Sequence, residues 1–321
     1  MKAMESKVMR AVRLTTSANG TPRLEVAEVP QPKLAAGDVL VRVHAAGVTP
    51  TELGWEPTIQ KKDGSPRPNA IPAHEFSGVI AEVGSDVRDF QPGQEIYGMN
   101  DWYVDGGLAE FCVTQPSSIA SKPAKLTHVE AATVPIGALT AWQGLFDRSH
   151  LHAGQRVLIH GASGGVGVFA VQLARNIGAH IFATASARNR DFVKQLGANE
   201  FIDYKSQRFE DVARDIDVVF DAVGGETFDR SFSVLKPGGS IVTIVSTENP
   251  ETAFDERKKN AFFIVEPNQK QLIEVANLID AGKLKTFVDA VVPLANAASA
   301  YDNSLKNRQG QGKVAVEITP A

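Results

Sequence analysis

The sequence has 321 residues, of which 43% are hydrophobic and 22% are charged. These fractions are close to those of folded globular proteins and exclude a disordered chain. The length exceeds a typical domain of about 100 to 200 residues, so two domains are expected. A formal net charge of −4 gives no electrostatic reason to expect nucleic acid as a partner, and we expect a small-molecule partner instead.

The chain carries a single cysteine, Cys112, which excludes an intramolecular disulfide and a cysteine-rich zinc site. Cys112 lies in the alternating run LAEFCVT, and a free cysteine usually behaves as a small apolar group, so a core position is predicted. The N-terminal stretch MKAMESKVMRAVRL lacks the apolar segment of a secretory signal, and no apolar run reaches the roughly 18 residues of a membrane span. We therefore expect a cytoplasmic protein that does not enter a membrane.

Short strands between turn residues are predicted from about Val8 to Lys125. The apolar runs VLVRVHAAGV, FSGVIAEVG, EIYG and LAEFCVT are separated by segments rich in Gly and Pro. This pattern is typical of an irregular β-barrel or sandwich. The first lobe is predicted to be mostly β.

Strand and helix alternate after Leu126. The helical segment THVEAATVPIGALTAWQGLF leads into the strand RVLIHG, the helix GVGVFAVQLARNIG, the strand HIFATA, the helix RNRDFVKQLG and the strand EFIDY. The strand IDVVFDAV, the helix GETFDRSFSVL, the turn KPGG and the strand SIVTIVS follow. Apolar strands that alternate with helices are typical of a doubly wound parallel sheet, so the second lobe is predicted to be α/β.

The C-terminal tail does not extend this alternation. It contains two predicted helices, QKQLIEVANLIDAGKL and LANAASAYDNSLK, and a closing strand, GKVAVEI, which we expect to return to the first lobe. Before it, the apolar run NAFFIVEP predicts a strand at the edge of the parallel sheet. Such an edge can pair two copies into a homodimer, and a monomer is the alternative.

The turn after the strand RVLIH is rich in glycine. Its predicted cofactor-binding residues are Ser163, Gly164, Gly165, Val166 and Gly167. In a dinucleotide fold such glycines allow a tight turn, close approach of a pyrophosphate and close packing of strand and helix. The helix start then offers free N–H groups to the phosphates. The spacing departs from GxGxxG because Ala162 takes the first glycine position, and a purely structural turn is the alternative.

The end of the next strand, HIFATASARNRD, favours NADPH. Folds that bind NAD place an Asp or Glu there against the ribose hydroxyls, whereas this chain has Ala185, Ser186 and Ala187. Ser186, Arg188 and Arg190 provide hydrogen-bond donors and positive charge for a 2′-phosphate. The alternative is that the two arginines are solvated residues at a helix start.

The motifs HEFSGVIAEVG, AATVPIGALTAW, VLIHGASGGVGVFAVQLA, QLGANEFIDY, KPGG and GKVAVEI together resemble the medium-chain dehydrogenase/reductase superfamily, and within it the zinc-independent quinone oxidoreductase and enone reductase branch. The resemblance implies a GroES-like β-barrel domain from residues 1–125 and 267–321 and a Rossmann domain with a doubly wound parallel sheet from residues 126–266. It also implies NADPH in the cleft between them.

The same resemblance implies cofactor contacts beyond the glycine-rich turn. Tyr204 would join Ser186 and Arg188 near the 2′-phosphate, and a core aromatic is the alternative for Tyr204. Three further residues would line the rest of the cofactor: Thr140, Val223 and, with its neighbouring segment, Val245.

A zinc site is not expected. Catalytic zinc requires three protein ligands, and Thr49 stands where zinc-dependent relatives have a cysteine ligand. His74 and Glu75 retain the form of a ligand motif, but we assign them structural roles because buried polar groups near turns commonly satisfy backbone atoms. Thr49 also replaces the asparagine that approaches the nicotinamide ribose in the resembled branch.

The implied activity is hydride transfer from NADPH to a quinone or an α,β-unsaturated ketone. Thr49 is the predicted polar contact near nicotinamide and substrate. Trp55, Trp102 and Tyr103 are aromatic candidates for contact with a flat substrate, with ordinary packing as the alternative. The alternative functions are a reductase of other activated alkenes, such as acrylates, and a non-catalytic NADPH-binding protein that acts through interactions.

Overall fold

The computed structural model describes residues 7–16, 22–245, 258, 260–302, 304–306 and 308–319. The strands are β1 (Val8–Thr16), β2 (Pro22–Pro30), β3 (Val39–Gly47), β4 (Glu75–Val83), β5 (Glu95–Met99), β6 (Phe111–Thr114), β7 (Ile119–Ser121), β8 (Arg156–His160), β9 (His180–Ala185), β10 (Glu200–Asp203), β11 (Ile216–Asp221), β12 (Leu235–Thr243), β13 (Val288–Pro293) and β14 (Lys313–Glu317).

The helices within these residues are α1 (Glu56–Ile59), α2 (His128–Ala132), α3 (Pro135–Trp142), α4 (Gly167–Asn176), α5 (Arg190–Leu196), α6 (Gly225–Ser231) and α7 (Gln269–Asp280). The predicted helix before β8 is divided at Pro135 into α2 and α3, and α3 continues into a π-helical stretch, Gln143–Arg148. Among the described helices, none combines the length and the apolar character that a bilayer crossing requires.

The first sheet is mostly antiparallel and has the strand order β13-β14-β3-β4-β5-β7, with β6 also paired to β3. Strands β1 and β2 pair separately as a two-stranded sheet. Cys112 on β6 is buried, as predicted, and burial raises the pKa of its thiol. Strand β14 pairs with β3 in the register Val316 to Ala46, so the C-terminal tail does return to the first sheet, as expected.

The second sheet is parallel, with the order β10-β9-β8-β11-β12. Val157, Leu158 and Ile159 on β8 are completely buried, because helices or loops cover both faces of the central strand. The strand order reverses between β8 and β11. Ligands of such sheets bind at the carboxyl ends of the strands beside this reversal, and the glycine-rich turn follows β8 at that place.

Three predicted elements differ from the structure. The segment NAFFIVEP forms only a single bridge, between Phe262 and Thr243, because the carbonyl groups of Val265 and Glu266 accept hydrogen bonds from the side chains of Trp102 and Gln143 instead of a strand. The predicted edge strand is therefore wrong.

The second difference lies in the C-terminal tail, where the predicted helix LANAASAYDNSLK is replaced by 3-10 turns over Leu294–Ala300 that are interrupted by a kink at Asn296. Leu294, Ala297 and Ala300 are buried. The third difference is the predicted turn KPGG, which lies inside β12 and is accommodated by an irregular register against β11 and a positive φ at Gly238. Ser246, the last residue of the predicted strand SIVTIVS, lies outside the described residues.

Protonation of His160 is predicted to destabilise the fold below neutral pH. Burial is the main reason why the pKa of His160 falls from 6.5 to about 4, although Asp221 opposes the shift. The unfolded chain therefore binds a proton near pH 6.5 that the folded chain rejects, and stability is lost as pH falls from about 6.5 towards 4. The loss amounts to a few kcal/mol, since each pKa unit corresponds to about 1.4 kcal/mol.

Urea unfolding of wild type and His160→Gln at pH 7.5, 6 and 5 measures this effect. The variant should lose part of the pH dependence and retain the part due to His128, whose pKa burial also lowers to about 4. The exposed His152 provides the matched control His152→Gln. Identical pH dependence in wild type and His160→Gln would contradict the prediction.

Candidate functional site

The turn between β8 and α4 favours glycine at two positions for different reasons. Gly161 has a φ of +72°, a conformation that favours glycine. A Cβ atom on Gly167 would lie 2.2 Å from the carbonyl oxygen of Gly161, so the first turn of α4 packs directly on the backbone that follows β8. No side chain caps α4. The amides of Val168 and Phe169 donate to the carbonyl oxygens of Gly164 and Val166, so the amides that precede them and the positive end of the helix dipole are the groups that suit an anionic ligand.

The C-terminal segment crosses this turn, a contact that is not among the sequence predictions. The amide of Gly312 donates to the carbonyl oxygen of Ser163 at 2.9 Å, and Gly164 and Gly312 form a parallel bridge. A Cβ on Gly165 would lie 3.1 Å from Cε of Lys313. The turn is thus held by a segment that leads into β14 of the other sheet. The glycine pair in GQGK was the available signal, because a Cβ on Gly312 would lie 2.0 Å from the carbonyl oxygen of Phe287.

A buried amide fixes the side chain of Ser163. Asn189, which the sequence analysis did not single out, donates from Nδ2 to Oγ of Ser163 at 3.1 Å and accepts from Nε2 of Gln311 at 3.0 Å. Asn189 is only 3% exposed. This arrangement connects the glycine-rich turn, the segment after β9 and the C-terminal segment through side chains alone.

The residues predicted to recognise a 2′-phosphate lie at the carboxyl ends of β9 and β10. Ser186 follows β9 directly, and the amide of Tyr204 donates to the carbonyl oxygen of Ala185 at 3.4 Å. Tyr204 is 60% exposed, so its alternative assignment as a core aromatic is wrong. The exposed Arg188 lies beside the backbone of Gly310, where a Cβ would be 3.0 Å from Nη2. Arg190 instead stacks its guanidinium on Phe201, 4.6 Å from the ring centroid.

A buried carboxylate positions the two loops that carry Val223 and Val245. Asp221, at the end of β11, is completely buried; it accepts from the amides of Val223 and Gly224 and from the hydroxyl of Thr243. Oγ1 of Thr243 in turn accepts from the amide of Val245 at 3.2 Å. Neither Asp221 nor Thr243 is among the residues predicted from the sequence. An acidic residue that ends an otherwise apolar buried strand was the signal for Asp221.

Helix α3 reaches the glycine-rich turn from the other side. A Cβ on Gly137 would lie 2.3 Å from the carbonyl oxygen of Gly165. The buried Thr140 donates its hydroxyl to the carbonyl oxygen of Ile136 at 2.6 Å. Oε2 of Glu75 accepts from the amide of Ile136 at 2.9 Å. These contacts place α3 between β4 of the first sheet and the turn.

Glu75 also forms a buried ion pair with Lys313. Burial raises the pKa of the Glu75 carboxyl, and the ammonium of Lys313 opposes that shift. The pair lies at the junction of the sheets, since Lys313 contacts Gly165 and a Cβ on Gly47 would lie 2.6 Å from Oε1 of Glu75.

Thr49 lies two residues beyond β3, at the start of the 3-10 helix Pro50–Gly54. Its hydroxyl oxygen is buried and has no hydrogen-bond partner in the described part of the chain. An unpaired buried hydroxyl is costly, and a ligand can provide the missing partner.

The three predicted substrate aromatics have different environments. Trp102 is 7% exposed, and its Nε1 donates to the carbonyl oxygen of Val265 at 3.0 Å. Trp55 packs edge-on against Trp102, with the ring centroids 4.9 Å apart. Tyr103 is half-buried beneath the ammonium of Lys62. The indole N–H of Trp102 is therefore occupied by a hydrogen bond within the protein. Trp55 and Tyr103 lie beside the Trp102 residue.

Two family models match the chain: an alcohol dehydrogenase GroES-like domain matches residues 35–139, and a zinc-binding dehydrogenase model matches residues 196–316. A chloroplast envelope quinone oxidoreductase homolog of Arabidopsis thaliana is 32% identical, with alignment over 98% of this chain and 100% of the relative. A 2-methylene-furan-3-one reductase of Solanum lycopersicum is 30% identical over 90% of this chain and 74% of the relative.

Among solved structures, the quinone oxidoreductase from Coxiella burnetii superposes with a TM-score of 0.86 at 28% identity, covering 97% of this chain and 100% of that one. The chain belongs to the medium-chain dehydrogenase/reductase superfamily. The predicted fold, a GroES-like domain with a Rossmann-type parallel sheet, is confirmed. Membership makes the protein an oxidoreductase and implies a nicotinamide cofactor, which the uncapped turn before α4 fits.

The donor set does not fit the zinc ion that the name of one family model implies. Both ring nitrogens of His74 have protein partners, namely Oε2 of Glu52 at 2.9 Å and the carbonyl oxygen of Val104 at 3.1 Å. The carboxylate of Glu75 is bound by Lys313 and by the amide of Ile136. The described residues contain no group of three or more His, Cys, Asp or Glu suited to a metal.

Two alanine substitutions separate the steric and the binding roles of the turn. Gly167→Ala should lower the free energy of unfolding by about 1 to 3 kcal/mol through overpacking. Gly164→Ala should leave stability within about 0.5 kcal/mol, because its Cβ would meet only the carbonyl oxygen of Gly161, at 3.4 Å. The same Cβ would obstruct a pyrophosphate, so nucleotide affinity should fall at least tenfold. Urea unfolding and calorimetric titration measure both quantities, and wild-type affinity in Gly164→Ala would contradict the assignment.

Proposed function

We propose that the protein is a zinc-independent, NADPH-dependent reductase that delivers hydride to a quinone or an α,β-unsaturated ketone. The observation that carries the proposal is the pairing of an uncapped, glycine-lined helix start with a β9 end that has Ser186 and Arg188 and no carboxylate. The first feature suits a pyrophosphate. The second suits the extra phosphate of NADPH, because no acidic group would repel it.

The recognition of the adenosine end follows from charge. Arg188 is exposed next to Gly310, so its guanidinium is free to approach a phosphate in the bidentate manner that favours arginine. Ser186 and Tyr204 would add hydroxyl donors. The turn residues Ser163 to Gly167 would hold the pyrophosphate, while Thr140, Val223 and Val245 would line the rest of the cofactor.

The bound cofactor supplies the hydride. The chain would supply orientation and a water-poor cleft, and the hydroxyl of Thr49 would donate to the carbonyl oxygen of the substrate or to the nicotinamide ribose. Trp55 and Tyr103 would border a flat substrate, with Trp102 behind them. The product anion can take its proton from solvent. The side chains of His74 and Glu75 are bound to other protein groups, and this supports a mechanism without zinc.

The remaining assignments are proposals of the same kind. We propose the domain boundaries 1–125 with 267–321 and 126–266, and a location in the cytoplasm, although the Arabidopsis relative is named for the chloroplast envelope. Homodimer formation remains a prediction that light scattering tests, with a monomer as its alternative.

Two other functions are alternatives. One alternative is a reductase of acrylate-like alkenes; the tomato relative is named a reductase of a methylene furanone, which is an α,β-unsaturated ketone and so supports the leading function. Steady-state assays of quinones, enones, acrylates and aldehydes with NADPH separate this function from the leading one. Tight NADPH binding without turnover of any of these would indicate a non-catalytic interaction protein.

Removal of the charge at Arg188 should lower the catalytic efficiency with NADPH and leave that with NADH unchanged. We expect Arg188→Gln to lower kcat/KM for NADPH by about 10- to 100-fold, the value of one or two charge-assisted hydrogen bonds, and to leave kcat/KM for NADH within twofold. Arg190→Gln is the matched control, since the guanidinium of Arg190 stacks on Phe201. Equal losses in the two variants, or a loss with NADH, would count against the assignment.

The unpaired hydroxyl of Thr49 provides a second test. Thr49→Val keeps the shape and removes a hydroxyl that has no partner, so the free energy of unfolding should stay unchanged or rise by up to about 1 kcal/mol. If the hydroxyl serves the substrate or the nicotinamide ribose, kcat/KM should fall about tenfold or more. Thr114→Val is the control, because Thr114 on β6 has an equally unpaired buried hydroxyl. Full activity of Thr49→Val would refute the role of Thr49.

A further inference from the structure

One loop beside the candidate site is fixed by an unusual number of side chains. The cleft wall, defined as residues 101–106, follows β5 and has no regular secondary structure. Nη1 of Arg67 donates to the carbonyl oxygen of Trp102 at 3.2 Å and Nε2 of His74 contacts that of Val104 at 3.1 Å. Nδ2 of Asn100 donates to the carbonyl oxygen of Asp105 at 2.9 Å. Three carbonyl groups of six consecutive residues are thus bound by side chains, two of which come from distant parts of the chain and one from the residue that precedes the loop.

The contact from His74 has a defined direction. A carbonyl oxygen only accepts, so Nε2 of His74 carries the hydrogen. On the opposite side of the ring, Oε2 of Glu52 holds Nδ1 and also accepts from the amide of Ala73 at 3.1 Å. The hydroxyl of Tyr301 donates to Oε1 of Glu52 at 2.9 Å. With His74 and Glu52 completely buried, the ring is oriented so that its one outward donor meets the cleft wall.

Arg67 connects the cleft wall to helix α1. Its side chain is only 10% exposed, and Nη1 also donates to the carbonyl oxygen of Pro57 at 2.9 Å. Nη2 binds Oδ1 of Asp105 at 2.8 Å, and the same Oδ1 accepts from the amide of Ile71. Pro57 is two residues beyond Trp55. One guanidinium therefore sets the distance between α1, which follows Trp55, and the cleft wall.

The cleft wall also touches the parallel-sheet part of the molecule through the indole of Trp102 and the carbonyl oxygen of Val265. Val104 is 44% exposed and Tyr103 is half-buried, and they lie between the exposed Asp101 and Asp105. A rigidly held loop that presents an aromatic and an apolar side chain next to the 3-10 helix that begins after Thr49 is suited to limit the size of a flat substrate.

We propose that His74 and Arg67 are positioning residues that fix the cleft wall and thereby determine which quinones or enones the enzyme accepts by size. This inference rests on the proposed function. Neither residue is expected to contact the substrate.

Substitutions that keep or lose each donor test the proposal. His74→Asn loses the reach to Val104, whereas His74→Gln keeps an N–H near the position of Nε2. We expect His74→Asn to lower KM for a bulky naphthoquinone relative to benzoquinone by at least tenfold, because a loosened wall admits a larger ring, with KM for NADPH within twofold and with His74→Gln close to wild type. Arg67→Lys, whose single ammonium cannot bind Trp102, Asp105 and Pro57 together, should change the same ratio.

The controls are a buried histidine and an ion-paired arginine elsewhere. His128→Asn removes a histidine bound to Ser77 and Glu95, and Arg230→Lys breaks a bidentate pair with Glu210; neither should alter the ratio. An unchanged ratio in both His74→Asn and Arg67→Lys would overturn the proposal. If His74→Asn does not fold, Arg67→Lys decides alone.

Hydrogen exchange tests the positioning without any activity. Amides of residues 101–106 should exchange at least tenfold faster in His74→Asn and Arg67→Lys than in wild type, with β3 and β4 unchanged. If wild type reduces no quinone or enone, the proposed function fails while this measurement still reports on the cleft wall. Unchanged exchange would overturn the positioning roles. Zinc bound stoichiometrically to the purified protein and lost in His74→Asn would also overturn them, because Nε2 cannot bind metal and donate to Val104 together.

Discussion

The start of α4 lies so close to the end of β8 that the backbone of Gly161 occupies the space of a side chain at Gly167. The rest of the candidate site depends on this contact, because it aims the uncapped N-terminus of α4 at the turn. The same closeness leaves the backbone of Gly164 open on its other side, where a Cβ would meet only one atom. The close contact between Gly161 and Gly167 thereby brings the helix dipole next to a backbone surface without side chains.

The turn is not a property of the parallel sheet by itself. Gly312 binds its backbone, Asn189 holds the side chain of Ser163 and is itself bound by Gln311, and Lys313 lies against Gly165. Lys313 is paired with Glu75 of the other sheet, and removal of one member of a buried ion pair costs far more than the pair contributes. The geometry of the turn therefore depends on the packing of both sheets. The start of the C-terminal strand contacts the turn and is also paired within the first sheet.

The sequence predicted the local features well. Strand and helix alternation, the glycine-rich turn and the missing carboxylate after β9 are patterns of neighbouring residues, and local sterics or charge determine them. The contacts of Asn189, Asp221 and His74 join residues 22 or more positions apart, and no local pattern records the partner. The segment NAFFIVEP failed for the same reason, because distant side chains of Trp102 and Gln143 use the carbonyl groups that a strand would need. The apolar spacing over Leu294–Ala300 predicts an α-helix, whereas the chain there forms 3-10 turns with a kink at Asn296.

We propose that an anion-binding turn and a neighbouring arginine select the phosphorylated nicotinamide cofactor. Isothermal titration calorimetry of the wild-type protein with NADPH, and separately with NADH, tests it most directly. NADPH should bind at least tenfold more tightly at physiological ionic strength, and the difference should shrink as salt is added. Equal affinities for the two cofactors at all salt concentrations would contradict the claim.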